Sequence, residues 1–201
     1  MIRFPIAVFA ALAITTGAGV PSSASAAAKA PKPKAAGRAV NPNAPEVVAP
    51  GDIPDNQLFV PYRPPAGAYT ISVPEGWSRT ESNGVVTFTD KYNSISVTAG
   101  PASVAPTVDR VRTSGLTDVA KDPTYRAGRV TAVKTSGGPA IHVTFEIGSA
   151  PNSVTGKTAL LAVERYVYFA KGTQVVVTLS GAKGADNVDP WKIVSDSVRV
   201  G

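Results

Sequence analysis

The chain has no cysteine, and its one methionine is residue 1. Without thiols it can build no disulfide framework, no Cys-ligated zinc or iron–sulfur centre, no thiol nucleophile and no thioether-linked lipid anchor. Histidine is almost missing as well: His142 is the single copy in 201 residues. That excludes a His-cluster metal site and leaves one candidate for a Ser–His-type base. No serine sits in a Gly-x-Ser-x-Gly elbow. A long apolar run is lacking too. Phe4–Ile14, broken only by Pro5, would span about 17 Å as a helix, against roughly 30 Å of bilayer core.

What is present divides the chain in three. Arg3, the apolar run and the small-residue tract ending Ala24-Ser25-Ala26 form the n-region, h-region and A-x-A site of a secretory signal peptide. Residues 1–26 are therefore expected to be a signal cleaved after Ala26, with an uncleaved anchor as the alternative. Residues 27–56 hold six prolines and the cations Lys29, Lys32, Lys34 and Arg38, with no hydrophobic periodicity. Such a segment cannot bury enough surface to offset its chain entropy, so a disordered Pro/Ala/Lys-rich linker is expected. Its cations could lean on an anionic envelope surface, although a plain solubilising spacer fits equally. The net charge of +6 lacks the interleaved basic and aromatic pattern of a nucleic-acid reader, so no nucleic-acid partner is expected.

Residues 57–201 read as one folded domain. β-Branched residues dominate and turn signals recur at short spacing. Strands are predicted at Tyr69–Val73, Val85–Asp90, Ile95–Ala99, Val130–Thr135, Ala140–Ile147, Thr158–Ala170 and Thr173–Ser180, with Val198–Val200 closing the sheet. Trp77 opens one further strand, and Asn83-Gly84 is a hairpin turn. Thr107 caps a helix carrying Val108 and Val111 and running toward Val119, and Asp189-Pro190 opens a second. A two-residue turn at Lys171-Gly172 would set Tyr168 opposite Val175, Tyr166 opposite Val177 and Glu164 opposite Leu179. Both faces of that hairpin are then largely apolar, whereas a half-exposed antiparallel sheet has one polar face. The expected fold is thus α+β: an antiparallel sheet flanked by helices, an α/β/α sandwich.

Candidate chemistry is sparse. His142 and Glu164 would meet across adjacent strands if the register sets Val143 opposite Val163. Such a pair suits acid–base work or a switch, and equally a satisfied structural contact. Glu164 and Arg165 point to opposite faces, so each needs its own partner. Trp77, Tyr92, Tyr166, Tyr168 and Trp191 either line an aromatic site for a glycan or lipid or belong to the core. Gly181–Asp186 looks like a phosphate loop but lacks the required spacing, and fits a connection before the last helix. The candidate ligand-binding residues are His142, Glu164, Tyr166, Tyr168, Trp77 and Tyr92. No catalytic set, metal or cofactor is expected.

Several segments carry a family likeness. Tyr69-Thr-Ile-Ser-Val-Pro-Glu-Gly-Trp77, Val86-Thr-Phe-Thr-Asp-Lys-Tyr-Asn93, Glu164-Arg-Tyr-Val-Tyr-Phe, Leu179-Ser-Gly181 and Gly184-Ala-Asp-Asn-Val-Asp-Pro-Trp191 resemble the actinobacterial LpqN/LpqT-type envelope proteins of PsbP-like fold. The resemblance spans about residues 57–201. It implies export and a non-catalytic binding or accessory role, with an envelope protein, glycan or lipid as partner. Many members are lipoproteins; the absence of cysteine keeps a lipid anchor from carrying over. The alternative is a small extracytoplasmic hydrolase using His142 and Glu164.

Overall fold

The computed structural model describes residues 51–151 and 156–201. The expected signal (1–26) and residues 27–50 of the expected linker lie outside the described residues.

Ten strands and two helices are described. The strands are β1 (Phe59–Tyr62), β2 (Tyr69–Pro74), β3 (Ser78–Ser82), β4 (Val85–Asp90), β5 (Asn93–Pro101), β6 (Arg126–Thr135), β7 (Gly138–Gly148), β8 (Leu160–Ala170), β9 (Thr173–Ala182) and β10 (Arg199–Val200). Helix α1 is Val108–Ser114 and α2 is Val188–Ser197. Seven strands form one sheet in the order β3-β4-β5-β9-β8-β7-β6. Every neighbouring pair in it is antiparallel. Two tight turns follow from local chemistry. Asn83 and Gly84, with φ of 51° and 76°, link β3 to β4, and Lys171 and Gly172, with φ of 49° and 76°, link β8 to β9. Positive φ at both central positions matches the right-handed strand twist.

The β8–β9 register is the one the turn dictates: Tyr168 faces Val175, Tyr166 faces Val177 and Glu164 faces Leu179. One face of the sheet packs Ile95, Tyr168, Val175, Val177 and Leu179 against Trp191 and Val194 of α2. The other packs Val143, Phe145, Val163 and Val167 against Val111 of α1 and Leu116 just after it. The architecture is therefore the expected α+β sandwich, with a helix on each side of an antiparallel sheet.

Four details differ from the sequence reading. First, Arg199–Val200 pairs with β2 rather than with the main sheet. With β1, which carried no recognised strand signal, it makes a separate three-stranded sheet in the α2 layer. Tyr69, Ile71 and Val73 of β2 point from that layer into the core. Second, α2 starts at Val188, so Pro190 is its third residue, not its first. Third, α1 stops at Ser114 instead of reaching Val119. The Gly115 amide bonds Val111 O, and a Cβ there would lie 2.9 Å from that oxygen. Fourth, residues 51–56 belong to the fold although their composition reads as linker. Ile53 is buried in the core, and its amide donates to Asn187 Oδ1 at 2.8 Å.

Edge strand β6 carries a bulge where its pairing with β7 shifts between Ala127 and Val130. Gly128 is required there, because a Cβ would sit 2.3 Å from the Thr144 carbonyl oxygen. The Arg129 amide donates to Thr144 Oγ1 at 3.0 Å. The bulge thus trades one ladder step for a side-chain bond.

Candidate functional site

His142 and Glu164 do meet, but not directly opposite one another. Val143 faces Arg165 rather than Val163, so His142 lies across from Tyr166 and Glu164 across from Thr144. The shift is two residues, an even number, so both side chains stay on the same face. The contact is then diagonal, and these side chains are long enough to span it. His142 Nε2 donates to Glu164 Oε2 at 3.0 Å, and Tyr166 Oη donates to the same oxygen at 2.7 Å. The imidazole stacks on the Tyr166 ring with centroids 4.5 Å apart.

The carboxylate is half-buried. The His142 hydrogen bond is the main reason its pKa lies below the usual glutamate value; burial acts the other way, and the Tyr166 hydroxyl adds to the lowering. Burial, with the neighbouring carboxylate, pushes the Tyr166 phenol well above its ordinary range. Tyr168 next to it is fully buried, donates to Ser195 O at 2.8 Å and is raised by burial to about 12. These tyrosines are hydrogen-bond donors, not acids or nucleophiles, near neutral pH. With Nε2 held by Glu164, and Glu164 Oε2 shared by two donors, the cluster is organised as a clamp between β7 and β8.

Beside the clamp lies a groove of about 520 Å³. That is within the size range of small-ligand sites. It is lined by Arg126, Thr144, Glu146 and Glu164 of the sheet, by Ala182 at the end of β9, and by Asn187, Val188 and Trp191 at the start of α2. Lys183 Nζ reaches Glu146 Oε1 at 2.8 Å on its border. Glu164 is the member of the clamp that lines the groove. The glycine-containing run 181–186 is the connection from β9 toward α2, as expected.

The other candidates scatter. Tyr168 is sealed in the core. Trp77 is half-buried and packs edge-on against Trp191, with centroids 6.4 Å apart. Tyr92 is exposed on the turn between β4 and β5. None of the three lines the groove, so the aromatic residues do not form one site. Arg126, Glu146 and Asn187 were not singled out from the sequence. The only available signal was that Thr144 and Glu146 alternate with His142 on one strand face. Among the described residues, no group of three or more His, Cys, Asp or Glu side chains could hold a metal ion, and no helix is long and apolar enough to cross a membrane.

This arrangement is the PsbP-like α+β fold. Among solved structures, cyanobacterial PsbP (CyanoP) from Synechocystis matches with a TM-score of 0.51 and 16% identity, over 75% of this chain and 98% of that one. LpqN, involved in cell envelope biogenesis of Mycobacterium tuberculosis, matches at 0.41 and 14% identity, over 73% and 92%. A Bacteroides thetaiotaomicron structure matches at 0.48 and 12% identity, over 70% of this chain and 48% of that one. The chain thus spans about half the length of the Bacteroides protein. At these identities the likeness is one of fold. No family model matches the sequence, and no curated protein matches it.

Proposed function

We propose that the chain is an exported, non-catalytic binding module of the cell envelope, of LpqN type, that holds its partner in the groove between the β6–β8 end of the sheet and the start of α2. The signal-like residues 1–26 support export, and the segments resembling LpqN-type proteins support the envelope setting. The observation that carries the binding role is the groove itself. Val188 and Trp191 of α2 line it together with the polar Thr144, Glu146 and Glu164 and the apolar Phe145 and Val163 of the sheet. That pairing suits an envelope molecule with an apolar body and a hydrogen-bonding end, such as a lipid, a glycan-bearing lipid or a peptide segment. Residues 27–50, rich in proline, alanine and lysine, would supply reach: as a flexible coil about 24 residues span roughly 27 Å.

A photo-crosslinker at Ala162, an exposed groove residue, tests this in the native envelope. The expected result is a defined adduct that disappears in a variant of exposed Val188, Val188→Arg. Equal labelling from a crosslinker at exposed Val60, remote from the groove, would overturn it.

The formed His142–Glu164 pair favours a hydrolase as the second reading. It predicts ester or glycoside turnover by the purified chain that falls at least about a hundredfold in His142→Gln. Turnover absent, or unchanged in that variant, removes it.

A further inference from the structure

The described chain enters the fold at the rim of the groove. Gly51 is buried and has a φ of 97°, a region that favours glycine. A Cβ there would lie 2.8 Å from Ala182 Cβ and 3.6 Å from Ala185 Cβ, and both alanines line the groove. Three hydrogen bonds fix the entry. Asn187 Nδ2 donates to Gly51 O at 3.0 Å, the Asp186 amide to Asp52 Oδ1 at 2.9 Å and the Ile53 amide to Asn187 Oδ1 at 2.8 Å. Whatever precedes residue 51 therefore starts against the groove's own lining.

One row of the floor measures the groove. Arg126, Glu146, Ala162 and Gly181 are successive partners across β6, β7, β8 and β9, and all four line it. Three strand spacings put Arg126 about 14 Å from Gly181, the neighbour of the Ala182 that Gly51 meets. Both floor carboxylates are already held, Glu146 by Lys183 and Glu164 by His142 and Tyr166. Among the described residues, exposed Arg126 has no ion pair. The side of the groove away from Gly51 thus ends on an uncompensated cation.

The sequence just before Gly51 is complementary to this groove. Residues 45–50 read Pro-Glu-Val-Val-Ala-Pro. Glu46 is the one acidic residue among the first fifty, and Val47 and Val48 form the one pair of adjacent valines there. Prolines at both ends fix φ near −65° and bias Ala44 and Ala49 toward extended backbone, so less chain entropy is left to lose on lying flat. Five extended residues from Gly51 to Glu46 would span about 16 Å, a match to the distance to Arg126. Adjacent side chains of an extended segment point to opposite sides, so one valine would meet Val188 and Trp191 and the other the floor. Attachment at Gly51 gives an effective concentration in the millimolar range, so weak contacts suffice.

We propose that residues 45–50 are the groove's resident occupant, reaching from Gly51 to Arg126, and that an envelope partner binds by displacing them. Displacement rests on the reading of the groove as the partner's site; docking of the segment does not. The test places a photo-crosslinker at Ala162 in the purified chain and maps the adducts by mass spectrometry. The expected result is an intramolecular adduct on residues 45–50. It falls at least about tenfold in Val47→Asp/Val48→Asp and in Arg126→Glu, and returns when Glu46→Lys joins Arg126→Glu. Circular dichroism should be the same for every chain, since these positions are exposed or precede the fold. No adduct on residues 45–50, an equal spread over residues 27–44, or a yield indifferent to the substitutions would overturn the docking. So would a covalent dimer as the main product, since the segment would then serve a second copy. In the native envelope, Val47→Asp/Val48→Asp should raise the partner adduct at Ala162 at least about threefold, because the competing occupant is gone. An equal or lower yield would overturn displacement. An internal adduct in the purified chain, with no envelope adduct from either form, would remove the groove reading and displacement with it while the docking stands.

Discussion

Arg165 and Asp118 meet in a two-pronged pair, Nη1 to Oδ1 at 2.9 Å and Nη2 to Oδ2 at 2.7 Å. The guanidinium is buried in the sheet, while the carboxylate stands half in solvent just after α1. Arg165 also donates to Gly115 O and to Thr178 Oγ1. One side chain in mid-strand therefore fastens the end of α1 to β8 and β9. Burial raises the Asp118 pKa, but the Arg165 hydrogen bonds and charge outweigh it and hold it below the ordinary aspartate value.

The two partners are not equivalent in burial, so their removal should differ. Asp118→Ala leaves a buried cation with fewer partners and should cost about 2 kcal/mol. Arg165→Met replaces the cation by an apolar chain, lets Asp118 hydrate, and should cost under about 1 kcal/mol. Urea midpoints of the two variants decide the order. Equal losses would mean the exposed carboxylate contributes nothing beyond a surface pair.

Glu164 predicts an acid limb in stability. Its folded pKa lies below the ordinary glutamate value, chiefly because His142 donates a hydrogen bond to the carboxylate. Its contribution is thus fully present above the unfolded value and is lost as pH falls through the lower folded value. Denaturation curves between about pH 3 and pH 7 should show a decline below about 4.5 that is shallower in Glu164→Gln. Parallel pH profiles would place the acid sensitivity in other carboxylates.

Asn187 ties the amino-terminal entry to the start of α2. Its amide donates to Gly51 O at 3.0 Å and Asn93 Oδ1 at 3.1 Å, while its carbonyl accepts from the Ile53 amide. Asn187→Ala should cost roughly 2–3 kcal/mol and open residues 51–56 to proteolysis ahead of the rest of the domain. Mass spectrometry of a limited digest reads this directly.

Lys171 occupies the left-handed region at φ 49°. Asn tolerates that conformation better. Lys171→Asn should therefore raise stability by several tenths of a kcal/mol, up to about 1. Thermal unfolding midpoints check it; a decrease would mean that the lysine stem contributes packing that its turn geometry hides.

Sequence legibility followed the range of the interaction. The Lys171-Gly172 turn sets the β8–β9 register because two residues fix it locally. The apolar faces of that hairpin then require cover on both sides, which gives the layers. The β7–β8 register depends instead on strands joined by a longer loop, and a two-residue shift leaves the hydrophobic pattern unchanged. It was therefore invisible to alternation. Glu164 and Arg165 were legible as residues in need of partners. His142 was nameable as one partner because histidine occurs once, whereas Asp118, lying 47 positions from Arg165, had many carboxylate rivals. Ile53 was hidden by the prolines around it. The groove was hidden because its walls come from four separate stretches of chain.

Gly128 bears on how this protein behaves when crowded. An unbroken outer strand offers its free amides and carbonyls as a template for another molecule's strand. The kink that Gly128 permits in β6, flanked by Arg126 and Arg129, spoils that template. At the opposite margin, β3 is only five residues long and carries Arg79 and Glu81. A replacement that straightens position 128 would thus be felt first as fibre formation at high concentration, with affinity for any ligand a secondary casualty.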